Sequence, residues 1–457
     1  MERPRRPRRS AIVCATLSAM AFGASEAAAA NLDSFALAND AATCADAVVA
    51  TTQSGGAAWY NPAGLARVST TSVDLTATSL VLRVREFSEP LSVRLPTETR
   101  SQDVSATDFF SVPTSLVLAR RLSDRVVGAF GVFVTRQEFV SANALMQAGD
   151  TLPDGRPFSY DLYLDITQQS SVYHLGPSVG WTLTPTLRVG MSLFGVYEKL
   201  LAFDQFAARL GVGEEPTVER REVARQVKQT ATLFGLRPGV GVQWDFAPEW
   251  HLGAMLRGPT VVLSEVTQAT VVQTEAASGA DPVGSTVRVE GGRDALQRSG
   301  PARLHVGLAR DVGKGFVALG GDYQGPFYDA RGELASDAVW NVRAGARLWP
   351  RDDIGLGMGV FTDRSPTPTT TEQTSRARVH YYGVTAGGEL LRRYPLRKDN
   401  SEILLSTTVA IRYAIGFGSL NGILVEPFSE EFSAYRPNRV DVTLHELLLH
   451  IGSSLEL

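Results

Sequence analysis

From about residue 72 to its end, the chain alternates apolar residues with small or polar ones at a period of two. Fourteen segments carry the pattern: 72–85, 114–121, 126–136, 171–183, 187–198, 228–245, 250–257, 303–311, 316–323, 339–348, 354–361, 378–389, 402–417 and 442–457. In 402–417, Ile403, Leu405, Val409, Ile411, Tyr413, Ile415 and Phe417 share one face. Ser406, Thr408, Ala410, Arg412, Ala414 and Gly416 share the other. Likewise Val240, Val242 and Trp244 oppose Gly239, Gly241 and Gln243, and Leu447, Leu449 and Ile451 oppose Glu446, His450 and Gly452. Period two belongs to strands with two unlike faces. After residue 30 there is no apolar run of the ~18 residues that a membrane helix requires.

The connections sort by length. Residues 122–125, 184–186, 246–249, 312–315 and 349–353 are short links, with a longer one near 390–401 that holds Pro395. They alternate with the long stretches 86–113, 137–170, 199–227, 258–302 and 418–441. Short turns on one side and long loops on the other characterise outer-membrane barrels. Trp181, Trp244, Trp250 and Trp349 lie beside short links, where an interfacial aromatic girdle is expected. The expectation is an all-β fold: a transmembrane antiparallel β-barrel of about fourteen strands over residues 71–457. The valines of 258–302 offer one further hairpin, which would raise the count to sixteen.

Residues 1–30 read as a secretory signal peptide. Five arginines precede the apolar stretch Ala11–Phe22, and Ala28-Ala29-Ala30 supplies small residues for cleavage. Removing it leaves 39 basic against 46 acidic residues, a mild negative balance that gives no reason to expect nucleic acid as a partner. Cys44 is then the only cysteine, so no internal disulfide is available.

Between signal and barrel lies Gly56–Ala66, GAAWYNPAGLA. Asn61 suits the first position of a tight turn, Pro62 the second and Gly64 the fourth. The stretch resembles the NPA-containing hatch of the FadL-type outer-membrane long-chain fatty-acid and hydrocarbon transport family. The match rests on Asn61, Pro62 and Ala63, with Gly64 and Leu65 as a common extension, and covers a small part of the chain. The resemblance implies that residues 31–70 form a plug in the lumen. It also implies a bacterial outer-membrane location and passive uptake of hydrophobic compounds such as long-chain fatty acids. The steps would be capture at outer loops, rearrangement of a hatch built on Asn61, Pro62, Ala63 and Gly64, and lateral release through the wall. In that family an inward kink of the third strand makes the opening. Gly128 and Gly131 lie on the third segment here and Pro177 on the next. The implied partners are hydrophobic small molecules or fatty acids, outer-membrane lipid and lipopolysaccharide, and the barrel assembly machinery.

Within 199–227, Leu200, Phe203, Phe206 and Leu210 recur at helical spacing, so an amphipathic helix for ligand capture is expected there. No cofactor, metal site or catalytic group is expected. His445 and His450 are one residue too far apart for H-E-x-x-H, and strand geometry points them opposite ways. The glycines 355, 357 and 359 lie in a strand segment, and no G-x-S-x-G occurs. The alternative to transport is a structural barrel, such as a secretion-system accessory protein.

Overall fold

The computed structural model describes residues 36–96, 98–214, 218–277, 283–290, 298–328, 334–368, 377–395, 402–428 and 435–457. The expected signal peptide and residues 31–35 of the expected plug lie outside this set.

The strands are β1 (Ser72–Arg94), β2 (Thr99–Ser123), β3 (Val126–Thr151), β4 (Pro157–Thr184), β5 (Leu187–Val212), β6 (Glu219–Ala247), β7 (Trp250–Arg257), β8 (Thr260–Ala277), β9 (Val283–Glu290), β10 (Arg298–Ser299), β11 (Arg303–Asp311), β12 (Gly315–Gln324), β13 (Phe327–Tyr328), β14 (Leu334–Ser336), β15 (Val339–Arg351), β16 (Ile354–Asp363), β17 (Ala377–Pro395), β18 (Glu402–Val425) and β19 (Tyr435–Glu456). Antiparallel ladders run from β1 to β7, then through β11, β12 and β15 to β19, which returns to β1 and closes the ring. Fourteen strands complete the circuit, one for each alternating segment. β7 and β8 both lie along β6, end to end, and counting them separately gives fifteen. Pro259 interrupts that line, as expected of a residue with no N–H for the ladder. The expected extra hairpin forms as β8 and β9, but it prolongs ring positions already present rather than adding two.

The wall is apolar outside. Trp340 and Met358 are 63% and 66% exposed, and Phe130, Ile411 and Leu447 also face outward. These side chains need lipid around them, which makes this a membrane-spanning barrel. Trp244, Phe246 and Trp250 form an aromatic run near one short turn, with centroids 5.7 and 6.4 Å apart. Trp349 departs from the expected girdle. It shares the inward face of Arg347, whose guanidinium lies 4.9 Å from its ring.

The long connections differ most from expectation, because most of their length is strand. β4 and β6 run for 28 and 29 residues, against 8 for β7 and 10 for β16. About ten tilted residues cross a bilayer, so the flank from β17 through β1 to β6 stands well above it. The expected capture helix in 199–227 is the outer part of β5 and β6, in continuous register from Leu187↔Trp244 to Val212↔Glu219. Positions 200, 206 and 210 fit a two-residue period as well as a helical one. Leu200 and Leu210 are buried on the inner face, while Phe203 has the opposite parity. Ladders on both sides of β5 and β6 pair their backbones here, whereas a helix of three turns leaves its end groups unpaired.

Cysteines replacing Phe203 and Lys228, which are register partners, are expected to cross-link through a short bifunctional thiol reagent. Cysteines at Phe203 and Arg221 are not, and equal yields would contradict the strand assignment.

Candidate functional site

Residues 36–68 lie inside the barrel as two short helices, α1 (Asn39–Thr43) and α2 (Ala57–Tyr60), and a 3-10 turn over Pro62–Arg67. The turn forms for local reasons. Asn61 is extended and caps it, with Oδ1 accepting from the Ala63 N–H at 3.2 Å, and the Gly64 N–H donates to the Asn61 carbonyl at 2.9 Å. The Asn61 amide, fully buried, also donates from Nδ2 to the carbonyls of Val49 and Val242, each at 2.9 Å. One side chain therefore ties the turn to the rest of the plug and to β6.

The plug approaches the wall where the wall has no side chains. Gly180, Gly190 and Gly241 are register partners across β4, β5 and β6. A Cβ on Gly190 would lie 2.3 Å from the Pro62 carbonyl carbon, and one on Gly241 would lie 2.1 Å from Asn61 Oδ1. Farther round the wall the pattern recurs. Gly253 and its partner Gly307 receive Val49 and Ala50, and Gly345 and its partner Gly359 receive Cys44. Gln243, fully buried beside this ledge, donates to the carbonyls of Val49 at 3.3 Å and Thr52 at 3.1 Å. Cys44 is buried, and that burial pushes its thiol pKa up to about 11.

Above the turn, Trp59 lies among Phe133 (5.3 Å), Phe194 (5.7 Å) and His174 (5.0 Å). Arg257 stacks on its ring at 3.8 Å and donates to its carbonyl at 2.8 Å. A small pocket, with room for about one water molecule, lies between the plug and β16–β19, lined in part by Ala42, Phe361, Arg412 and His450.

Several lumen arginines are matched with acids. Arg83 meets Glu446 at 2.5 Å, Arg188 meets Asp245 at 2.9 Å and Arg343 meets Asp322 at 3.3 Å. Arg347 pairs with Glu389 and Arg136 with Glu198.

Two features were not located by the sequence, which points to an opening on the third strand but at Gly128, Gly131 and Pro177. The ladder between β2 and β3 runs only from Ser123↔Val126 to Ser115↔Phe133. Above it β2 stays with β1 and β3 with β4, which leaves a slot in the wall. A bulge at Thr135 starts the divergence, and Phe109 and Phe139, 67% and 42% exposed, flank it outside. Arg85 spans the slot from within, reaching Asp108 on β2 and Glu138 on β3. Gly128 and Gly131, expected at an opening, have partners on both β2 and β4. Gly131 makes room for the Phe133 ring, 2.5 Å from where its Cβ would be. Pro177 faces Phe130 on β3, while the β4–β5 register passes from Leu175↔Gly195 to Ser178↔Ser192 without a partner for it.

The second feature is the mouth. Glu89, at φ 53°, and Pro90 bend β1 inward, so that Leu91–Val93 pair in parallel with Ile423–Val425 of β18. Leu91, Val93 and Leu95 are thereby buried against Met146, Phe158, Tyr160, Leu162 and Leu210 on the tall flank. The hairpin tip is a strap across the mouth. Its signal in the sequence was the apolar alternation Leu91, Val93, Leu95 inside an expected loop.

These features define a plugged, membrane-spanning β-barrel whose mouth is closed by apolar side chains. Its fold is that of the FadL-type outer-membrane proteins. A Pseudomonas aeruginosa FadL homologue superposes with a TM-score of 0.58 at 11% identity, covering 93% of this chain and 100% of that one. The Ralstonia pickettii toluene transporter TbuX gives 0.53 at 14% identity, covering 93% and 99%. The Pseudomonas putida toluene transporter TodX gives 0.51 at 15%, covering 93% and 99%. No protein-family model matches the chain, and a search of curated proteins gives no match.

Two outcomes follow. Gly190→Val should unseat the plug and sensitise cells to large antibiotics, whereas Gly320→Val, whose Cβ meets nothing nearer than 3.6 Å, should not. Equal sensitivity would remove the ledge from the account. On the tall flank, burial pushes the Asp204 carboxyl up to about 6 against the pull of Arg225. A raised folded value means its stabilising contribution is complete below about pH 4 and is lost as pH rises through about 6. Amide exchange in the outer parts of β5 and β6 should quicken across that window, and Asp204→Asn should flatten the response.

Proposed function

We propose that the chain is an outer-membrane channel for passive uptake of hydrophobic compounds. The slot between β2 and β3 carries this reading: a porin has no use for a break in its wall, whereas an apolar solute does. Leaving an apolar environment costs about 0.8 kcal/mol per CH₂, so a route from the mouth cluster through a side slot into the bilayer spares the solute a water-filled passage. Solved structures with this fold include proteins described as toluene transporters. Capture occurs at the mouth, where the strap residues Leu91, Val93 and Leu95 do what was expected of Leu200, Phe203, Phe206 and Leu210. Residues 31–70 act as the hatch, with Asn61, Pro62, Ala63 and Gly64 as its determinants, and residues 71–457 as the barrel. The hatch rearranges, and release is lateral. Long-chain fatty acids and neutral hydrocarbons are both candidate cargo on this reading. The barrel is inserted by the outer-membrane assembly machinery and is surrounded by lipid and lipopolysaccharide.

Thr114 and Val134 are the first residues above the last β2–β3 register pair. A disulfide between cysteines placed there should abolish uptake of a labelled hydrophobic probe, and reductant should restore it. Unchanged uptake with the slot bridged would direct release elsewhere.

A further inference from the structure

The mouth cluster contains one polar atom without a partner. Tyr160 is 0% exposed, lies among Leu91, Val93, Met146, Leu162 and Leu210, and has no hydrogen-bond partner for its hydroxyl among the described residues. Buried hydroxyls are nearly always satisfied, since an orphaned one forfeits its hydrogen bonds to water. Its register partners, Ala148 on β3 and Leu210 on β5, supply no polar side chain. Burial alone acts on the phenol, raising its pKa, and no charged side chain contributes. The hydroxyl therefore stays protonated and neutral, available to one oxygen of an incoming molecule.

Farther down the lumen, five arginines already have an acid in place. Arg83, Arg136, Arg188, Arg343 and Arg347 each face a carboxylate. On the tall flank Arg225 acts on Asp204. At these guanidiniums an incoming carboxylate would have to shed its water and displace acids already in place.

We propose that the mouth cluster binds neutral hydrophobes bearing one hydroxyl or carbonyl oxygen, that Tyr160 is its specificity-determining residue, and that ionised carboxylates are excluded. This rests on the transport reading and narrows its cargo. The site becomes accessible when the strap lifts at Glu89 and Pro90, and the ligand takes the place of Leu91, Val93 and Leu95.

Three probes of one shape decide it: naphthalene, 1-naphthol and 1-naphthoate, offered at neutral pH to cells with the gene, without it, or with Tyr160→Phe. The wild-type protein should speed entry of naphthalene and naphthol, not naphthoate. Tyr160→Phe should slow naphthol entry by about three- to tenfold, the worth of one hydrogen bond, and leave naphthalene within about twofold. Because it deletes only an unsatisfied hydroxyl, its thermal stability should not fall, and a folded barrel can be checked by its heat-modifiable gel mobility. Naphthol entry unaffected by the substitution, or naphthoate entering as fast as naphthol, would overturn the proposal. If none of the probes enters faster than in cells without the gene, the transport reading itself fails and this inference with it.

Discussion

The structure depends on backbone packing against backbone. A barrel of this circumference, lined by ordinary side chains, would leave either a wet hole or a crowded lumen. Here glycines face one another across neighbouring strands, and the plug lies in the shallow trough they make. Pro62 rests on Gly190, Val49 on Gly253 and Cys44 on Gly345. The absence of Cβ atoms allows the approach, and directional bonds fix its register. Asn61 and Gln243 converge on the carbonyl of Val49, and Asn61 reaches β6 as well. Such bonds are individually modest, but losing a buried partner costs about 1–3 kcal/mol, so the turn has one seating.

Above the plug the lumen changes character twice. Matched arginines and acids come first, stiffening the wall while leaving little net charge. An apolar cluster at the mouth follows, made possible because one flank of the wall is far taller than the other. The strap exploits that difference: among the described residues the β17–β18 ladder reaches Ala377↔Leu420, and farther along β18 the tip of β1 pairs with Ile423–Val425 in parallel. An exposed strand edge is otherwise a liability. The same step that protects the edge carries three apolar side chains over the lumen.

The sequence disclosed the membrane-facing part of the barrel well. Inside the bilayer, one face must be apolar and the other need not be, so residues such as Ile411 and Arg412 alternate legibly. Above the bilayer the outer face turns polar and the inner face packs on itself, so the contrast fades and Leu200 to Leu210 passes for a helix. The turn at Asn61–Gly64 was readable because its chemistry is local. Its seat was not, since Gly180, Gly190 and Gly241 come together only in the register. A search for inward glycines at equal height on successive strands would have found it. The slot left no local mark, because it arises from two ladders that part company and not from any residue that breaks one.

The central claim is that the lumen is closed twice, by a plug seated on glycine and by apolar side chains at the mouth. Conductance of the purified wild-type protein in a planar bilayer tests it directly. The account predicts no steady ionic current above that of the bare membrane, while a stable porin-like conductance would contradict it.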